Sequence, residues 1–486
     1  MAENNLAKGT IYLTLASLAV VLSNYLINIG VARFLGIELY GVFGILTSLF
    51  FINSIFLNTG VPLSVSKFMA ESKYSFSAIF RSSLVLQLVL TVFLVLFYLI
   101  FSRIISVNLL NDPSLTNYLI LVGVAVVPLS FLSLYTDGFF SGLRDFKKQA
   151  AIKIIYSFLR IILVIFFLAL GFKLYGVLAG FFLSAIVCLL LSILLFKKKK
   201  YLEISKGSAE INMFQLLKFS TPLVIASLAF TFTRSVNVLF IKGIIQDNVQ
   251  VGLFTAASTL SNISYVAFSA LPITLLPSIS KAVSEKNIDL TRKYISNAVR
   301  YLILFLFPVT AVVSATSTEL ITLFYPSEFM AAGAILSILI ISFTFLSLYS
   351  SLRIIIIGSG KPKIEMLISV FSFIILIILN LILIPSKGIY GAALASLYCS
   401  IISLAIICSY IFVKFKTLIS IISFLRISLI SIVVYLFAYF WHYSGIWLLF
   451  SYLVLFILYL LLLYLFGELK KEDFNLWLSL TKFRKA

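Results

Sequence analysis

The chain has 486 residues, 62% of them hydrophobic and 11% charged, and 37 Lys and Arg against 17 Asp and Glu give a net charge of +20. Soluble domains are roughly 45–50% apolar and about 25% charged, so a soluble enzyme is excluded, as is a disordered chain, which would be poor in these residues. What remains is an all-α polytopic membrane protein, and whether the +20 marks nucleic-acid binding depends on where the charges fall.

A membrane-crossing helix needs about 20 mostly apolar residues. In chain order the sequence offers fourteen such runs: 10–32, 37–60, 80–102, 115–136, 150–171, 175–196, 220–243, 251–276, 297–316, 331–352, 364–384, 388–412, 418–440 and 446–466. The runs are continuous rather than alternating, which excludes a transmembrane β-barrel. The first lacks a small-residue cleavage pattern and is read as a span, not a signal peptide. Alternating the gaps between sides puts 30 of the 37 basic residues on the side of the two termini and 5 on the other, with Arg160 and Arg234 inside spans. The positive-inside rule then places both termini in the cytoplasm of a cell (plasma or inner) membrane. Basic residues dispersed over loops face anionic lipid headgroups rather than nucleic acid.

The chain repeats itself at an offset of about 210–215 residues. Ala16-Ser17-Leu18-Ala19 matches Ala226-Ser227-Leu228-Ala229, and Gly41-Val42-Phe43 matches Gly252-Leu253-Phe254. The run Phe131 to Tyr135 recurs unchanged as Phe345 to Tyr349, and Tyr175-Gly176 matches Tyr390-Gly391. Six spans per unit leave both units in one orientation, related by a pseudo-two-fold axis along the membrane normal. The expected organisation is a six-helix lobe at 1–196, a Lys-rich cytoplasmic linker at 197–219, a second six-helix lobe at 220–412, and two further spans with a tail at 413–486.

Among residues that could carry chemistry, Arg234 stands out. It lies in the middle of the seventh span, where an arginine costs roughly 2.5–3.5 kcal/mol and normally faces the bundle interior or a wet cavity. The alternative is a structural arginine bonded to neighbouring helices. Ser227, Thr231 and Asn237 share its helical stripe. Its repeat counterpart is Asn24, with Asn28 one turn on, so the first and seventh spans should present facing polar stripes. Asn262 belongs to a similar stripe in the eighth span. Arg33, at the outer end of the first span, reads equally as a snorkelling anchor. Arg160 is mid-span but has an apolar repeat partner, and carbonyls or lipid could satisfy it. No carboxylate lies deep in a span, which disfavours a proton or sodium relay built on buried carboxylates. Cys188, Cys399, Cys408 and the lone His442 form no metal-ligand spacing, and no Walker motif is present. No metal or cofactor is expected.

The stretch Val31-Ala32-Arg33-Phe34-Leu35-Gly36-Ile37-Glu38-Leu39-Tyr40-Gly41-Val42-Phe43 resembles the A-R-x-L-G-x-x-x-Y-G-x-F opening of span 2 in Wzx-type polysaccharide flippases. These belong to the multidrug/oligosaccharidyl-lipid/polysaccharide (MOP) exporter superfamily. Val251-Gly252-Leu253-Phe254-Thr255-Ala256-Ala257 resembles the family's second-half V-G-x-Y-x-x-A. The family often has Asp near the position of Asn237, so an ionic role there is not carried over. The resemblance implies a MATE-like fold of two lobes in a V, with a polyprenyl-phosphate-linked glycan moved from the cytoplasmic to the outer leaflet for glycan assembly. Arg234, Asn24, Asn28, Asn237, Arg33, Arg160 and Asn262 are the candidate substrate contacts. The expected partners are that glycan and membrane lipids, for a monomer working near glycosyltransferases. The competing readings are a multidrug exporter of the same fold and, in another class, a membrane-embedded glycan polymerase or ligase.

Overall fold

The computed structural model describes residues 2–71, 73–196, 209–267, 279–280, 282–283, 285, 287–441 and 443–469. Nearly all of them are helical. In chain order the helices are α1 (Ala2–Ile55), α2 (Val61–Ala70), α3 (Phe76–Ile104), α4 (Leu115–Ser133), α5 (Phe146–Ala169), α6 (Lys173–Leu195), α7 (Met213–Ile245), α8 (Asn248–Ser261), α9 (Ile263–Ala267), α10 (Ile288–Ala315), α11 (Ser317–Phe324), α12 (Ala332–Gly358), α13 (Pro362–Phe415), α14 (Ile421–Phe440) and α15 (Trp447–Leu465). Among the described residues, eleven helices are long and apolar enough to cross a membrane.

Two of the eleven are double. α1 changes direction at Gly36 (φ 74°, ψ 176°) and α13 at Gly388 (φ 59°, ψ −139°), backbone conformations that glycine alone adopts freely. Gly36 falls in the expected gap 33–36, and Gly388 is the first residue after the expected gap 385–387. The Tyr40 hydroxyl donates to Asn28 Oδ1 at 3.1 Å. Twelve residues of straight helix would separate them by about 18 Å, so the two arms of α1 fold back on each other. The expected eighth span, 251–276, begins in α8 and α9, and its remainder lies outside the described residues. So do the Lys-rich part of the linker, 197–208, the tail from 470, and His442.

The contacts divide the chain into two compact units: Met1–Thr255 with Ser369–Ala392, and Ala256–Ile368 with Ala393–Ala486. In the first, aromatic side chains of α3, the turn after α4 and the end of α6 form a cluster, with Phe80 5.1 Å from Phe139 and 5.8 Å from Phe196 between ring centres. α7 starts with a reciprocal cap, in which Asn212 Oδ1 accepts from the Gln215 amide (3.0 Å) and Gln215 Oε1 from the Asn212 amide (3.4 Å). It ends at Gln246 in the left-handed conformation (φ 63°). The second arm of α1 then meets α8 through glycines. A Cβ on Gly41 would lie 3.0 Å from Gly252 N, and one on Gly252 3.3 Å from Gly41 N.

In the second unit, buried ion pairs close helix ends. Arg300 of α10 donates through Nε to Glu468 Oε1 at 2.8 Å, just past α15, and Arg353 of α12 pairs with Glu365 of α13. Tyr459 of α15 donates to the Leu304 carbonyl of α10 at 2.7 Å. Carboxylates are therefore buried in this protein, but at helix ends.

Candidate functional site

Six of the seven candidate residues lie in the first unit, and three of them are joined in one network. Arg160, on α5, reaches the first arm of α1 with a single nitrogen. Its Nη2 donates to Asn24 Oδ1 at 2.6 Å and to Ser23 Oγ at 2.9 Å. Its guanidinium carbon sits 5.2 Å from the Tyr156 ring centre and 5.3 Å from that of Phe181. Among the described residues no carboxylate pairs with it. The charge is instead held by aromatic faces and by charge-assisted hydrogen bonds. The sequence left carbonyls or lipid as its partners, and the structure supplies side chains from a helix 136 residues away.

Asn28 continues the network. Its Nδ2 donates to the Asn24 carbonyl at 2.8 Å, and its Oδ1 accepts from Tyr40. Asn24 thus turns toward Arg160 rather than across to α7. The next residue turns the other way. The Tyr25 hydroxyl is buried without a hydrogen-bond partner among the described residues and lies within the field of the Arg234 charge. The first-span residue with an electrostatic tie to Arg234 is thus Tyr25 rather than Asn24. The sequence reading passed over Tyr25 because a tyrosine in an apolar run looks like an interfacial aromatic. Its place one residue beyond Asn24 was the available signal.

Arg234 is partly buried near the middle of α7. Three residues on, Asn237 is buried and accepts a hydrogen bond at 2.8 Å from Nδ2 of Asn380, a fully buried residue of α13. Asn380 was also missed, though a lone amide within Ile-Leu-Asn-Leu-Ile was visible in the sequence. Arg33 is exposed on the last turn before Gly36. Asn262, in the second unit, sits where α8 gives way to α9, its carbonyl accepting from the Tyr265 amide at 3.1 Å.

At the other end of α7 a buried ion pair fastens it to the loop between α3 and α4. Lys242 Nζ lies 2.9 Å from Asp112 Oδ2, the lysine side chain 3% exposed. Asn111 Nδ2 donates to the Gly243 carbonyl at 3.1 Å. Burial works to raise the Asp112 pKa. Its hydrogen bonds from Ser114 and the Lys242 charge outweigh that and hold the carboxyl below its ordinary range.

The first unit thus offers cations set in apolar helices, one of them held without any carboxylate, flanked by amides and hydroxyls. Such an arrangement can hold an oxyanion. A sequence profile described as "Polysaccharide biosynthesis protein" matches residues 6–283, more than half of the chain. The chain belongs to the polysaccharide biosynthesis protein family. A second profile, described as "Lipid II flippase MurJ", matches residues 260–467. The chain has relatives in archaea and bacteria. An uncharacterized membrane protein of Methanocaldococcus jannaschii is 27% identical over 413 residues, covering 82% of this chain and 95% of the relative. Stage V sporulation protein B of Bacillus subtilis is 26% identical over 428 residues, covering 81% of each. Among solved structures, the inward closed conformation of the lipid II flippase MurJ superposes with a TM-score of 0.75 at 19% identity, over 95% of this chain and 99% of that one. That likeness concerns the fold, and an inward-facing multidrug resistance MATE family transporter also superposes, with a TM-score of 0.70 at 17% identity over 83% of this chain and 98% of that one, in keeping with the MATE-like fold the resemblance implied.

Proposed function

We propose that the protein carries a lipid-linked saccharide, attached through a polyprenyl phosphate or diphosphate, from the cytoplasmic to the outer leaflet by alternating access. The observation that supports this most is Arg234, a partly buried cation mid-span on α7 whose charge acts on the buried Tyr25 hydroxyl. Arginine suits phosphate oxygens through its planar fork of donors, and a membrane interior tolerates it only for a reason. Family membership points the same way, as does the match to a lipid II flippase profile.

In this reading Arg234 meets the phosphate region and Asn237 lies one turn along the same helix. Asn262 hydrogen-bonds the saccharide, and Arg33 guides it at the outer end of the first span. Residues 1–196 and 220–412 act as the two lobes. Both termini lie in the cytoplasm of a cell membrane, and the monomer works beside the glycosyltransferases that build its substrate. No bond is made or broken, so the protein is not an enzyme in this account.

The decisive experiment reconstitutes the protein in liposomes with a fluorescent polyprenyl-diphosphate disaccharide and follows loss of the label from one leaflet. Wild-type protein accelerates the exchange, and Arg234→Ala reduces it at least tenfold while retaining the wild-type elution profile. Unchanged flipping by Arg234→Ala would sink the assignment. A multidrug exporter would instead move a cationic dye, which a basic interior opposes electrostatically. Robust dye transport with no glycan movement would favour that reading.

A further inference from the structure

Asn24, Asn28 and Arg160 have the residue types of a saccharide- and phosphate-binding stripe, but each spends polar atoms on protein, and the Arg160 Nε is buried without a hydrogen-bond partner among the described residues. The Asn24 side-chain oxygen accepts from Arg160, and its carbonyl accepts from Asn28. The Asn28 amide uses its nitrogen on that carbonyl and its oxygen on Tyr40. The Arg160 Nη2 serves two acceptors, one of which, Ser23, donates in turn to the Ser157 carbonyl of α5 at 3.0 Å. The chain of bonds starts on α5, runs along the first arm of α1, and crosses to the second arm beyond Gly36.

We infer that Arg160, Asn24, Asn28 and Tyr40 form a polar strut that sets the fold-back of α1 at Gly36, and that they are positioning residues rather than substrate contacts. Gly36 supplies a backbone conformation open to many angles. Something must select one of them. The Tyr40–Asn28 bond is a side-chain link that closes the hairpin from inside, and Tyr40 is fully buried. Its partner Asn28 is oriented by Asn24, which is oriented by Arg160. The Arg160 guanidinium packs in turn near the Tyr156 and Phe181 rings. A long flexible cation packed near two aromatic rings and bonded through one nitrogen has lost the freedom that a substrate-capturing side chain would need. The strut also sets the facing of Tyr25, since it grips the residues on either side of it in α1, and with it the surroundings of Arg234.

The inference does not depend on the identity of the substrate, so it is tested first without one. Spin labels are placed at the exposed positions Leu22 and Phe51, one on each arm of α1, after the three native cysteines have been replaced by serine. Electron–electron distance measurements are then made in liposomes. Tyr40→Phe, which removes one oxygen, and Arg160→Met should each broaden the distribution relative to the labelled parent. With the fluorescent polyprenyl-diphosphate disaccharide as probe, both variants should lower turnover several-fold with the half-saturating concentration unchanged. A distribution as narrow as the parent's in Tyr40→Phe would overturn the strut. So would an Arg160→Met protein that raises the half-saturating concentration and leaves turnover intact, because that is the behaviour of a ligand contact. If the parent moves no probe, the transport reading fails while the distance measurement still decides the strut.

Discussion

Gly41 and Gly252 face each other where the second arm of α1 crosses α8, and they are the same position in the two halves of the repeat. The contact is reciprocal. A Cβ on Gly41 would strike the Asn248 carbonyl and approach Gly252 N to 3.0 Å; one on Gly252 would strike the Ile37 carbonyl and approach Gly41 N to 3.3 Å. Ile37 and Asn248 are separated by the same 211 residues as the two glycines. A surface that meets its own counterpart in this way is what a two-fold axis produces. The contact thus joins matching positions of the internal repeat.

Backbone atoms cannot withdraw as a flexible side chain can, so Gly41→Ala and Gly252→Ala should each destabilise the protein by about 1–3 kcal/mol, the usual cost of overpacking. Gly30→Ala is the control. Nothing lies within 4 Å of its Cβ position, and alanine is the better helix former by roughly 0.5–1 kcal/mol. Thermal unfolding of the detergent-solubilised protein should fall for the first two variants and hold or rise for the third. Equal behaviour of all three would remove the crossing as a tight contact.

The Lys242–Asp112 pair should be expensive to break and cheap to replace. Removing one partner of a buried pair strands the other charge, at about 3–5 kcal/mol, whereas replacing both with apolar groups is often neutral. Lys242→Met is thus expected to lower the unfolding temperature well below that of Lys242→Met/Asp112→Leu. The pH dependence follows from the depressed Asp112 carboxyl. A carboxyl held below its unfolded value, about 3.9, contributes stability that is present above that value and lost as pH falls through the lower folded one. Asp112→Asn should flatten the acid limb of the unfolding curve, and an acid limb unchanged by the variant would refute the pair's role.

Much of this architecture can be read from the amino-acid order, because a membrane leaves few choices. Apolar runs must be helices, so the gap before residue 37 could only be a turn, and Gly36 supplies it. The repeat was legible as well, but matched glycines do not announce that they touch. That depends on where the axis passes. The partner of Arg160 was hidden for a related reason: Ser23 and Asn24 are 136 and more residues away, and helix order in a bundle is not written in any one helix. Arg234 was visible because a mid-span arginine is rare, whereas Tyr25 and Asn380, the residues that frame it and its neighbour Asn237, carry no charge to draw the eye.

In the second unit the Arg300–Glu468 pair should anchor the end of α15. Glu468 is 2% exposed and Arg300 8%, measured over their side chains, so neither charge has water to fall back on. Glu468→Gln keeps the shape and loses the charge, leaving Arg300 buried opposite a neutral amide. Its cost should approach the 3–5 kcal/mol of a broken buried pair, with Arg426, 4.0 Å away and 44% exposed, losing little. Limited proteolysis should then cut after α15 at lower protease concentrations than in wild type. Arg426→Gln should leave the cleavage pattern unchanged, and equal sensitivity of the two variants would show that the buried pair is not the anchor.

Arg234→Lys separates the demand for charge from the demand for geometry. Lysine keeps the positive charge but offers a point donor on a flexible stem, without the planar fork that grips two phosphate oxygens at once. If Arg234 meets a phosphate, the lysine variant should bind the polyprenyl-diphosphate probe about tenfold more weakly, a difference of about 1.4 kcal/mol, and still flip it at saturating concentration. Arg234→Ala should fail in both respects. A purely structural arginine would give another pattern. Lysine and alanine would then lower the unfolding temperature together, and the surviving folded fraction would transport with wild-type affinity. Concentration-dependent flipping by the two variants, read beside their unfolding temperatures, decides between these outcomes.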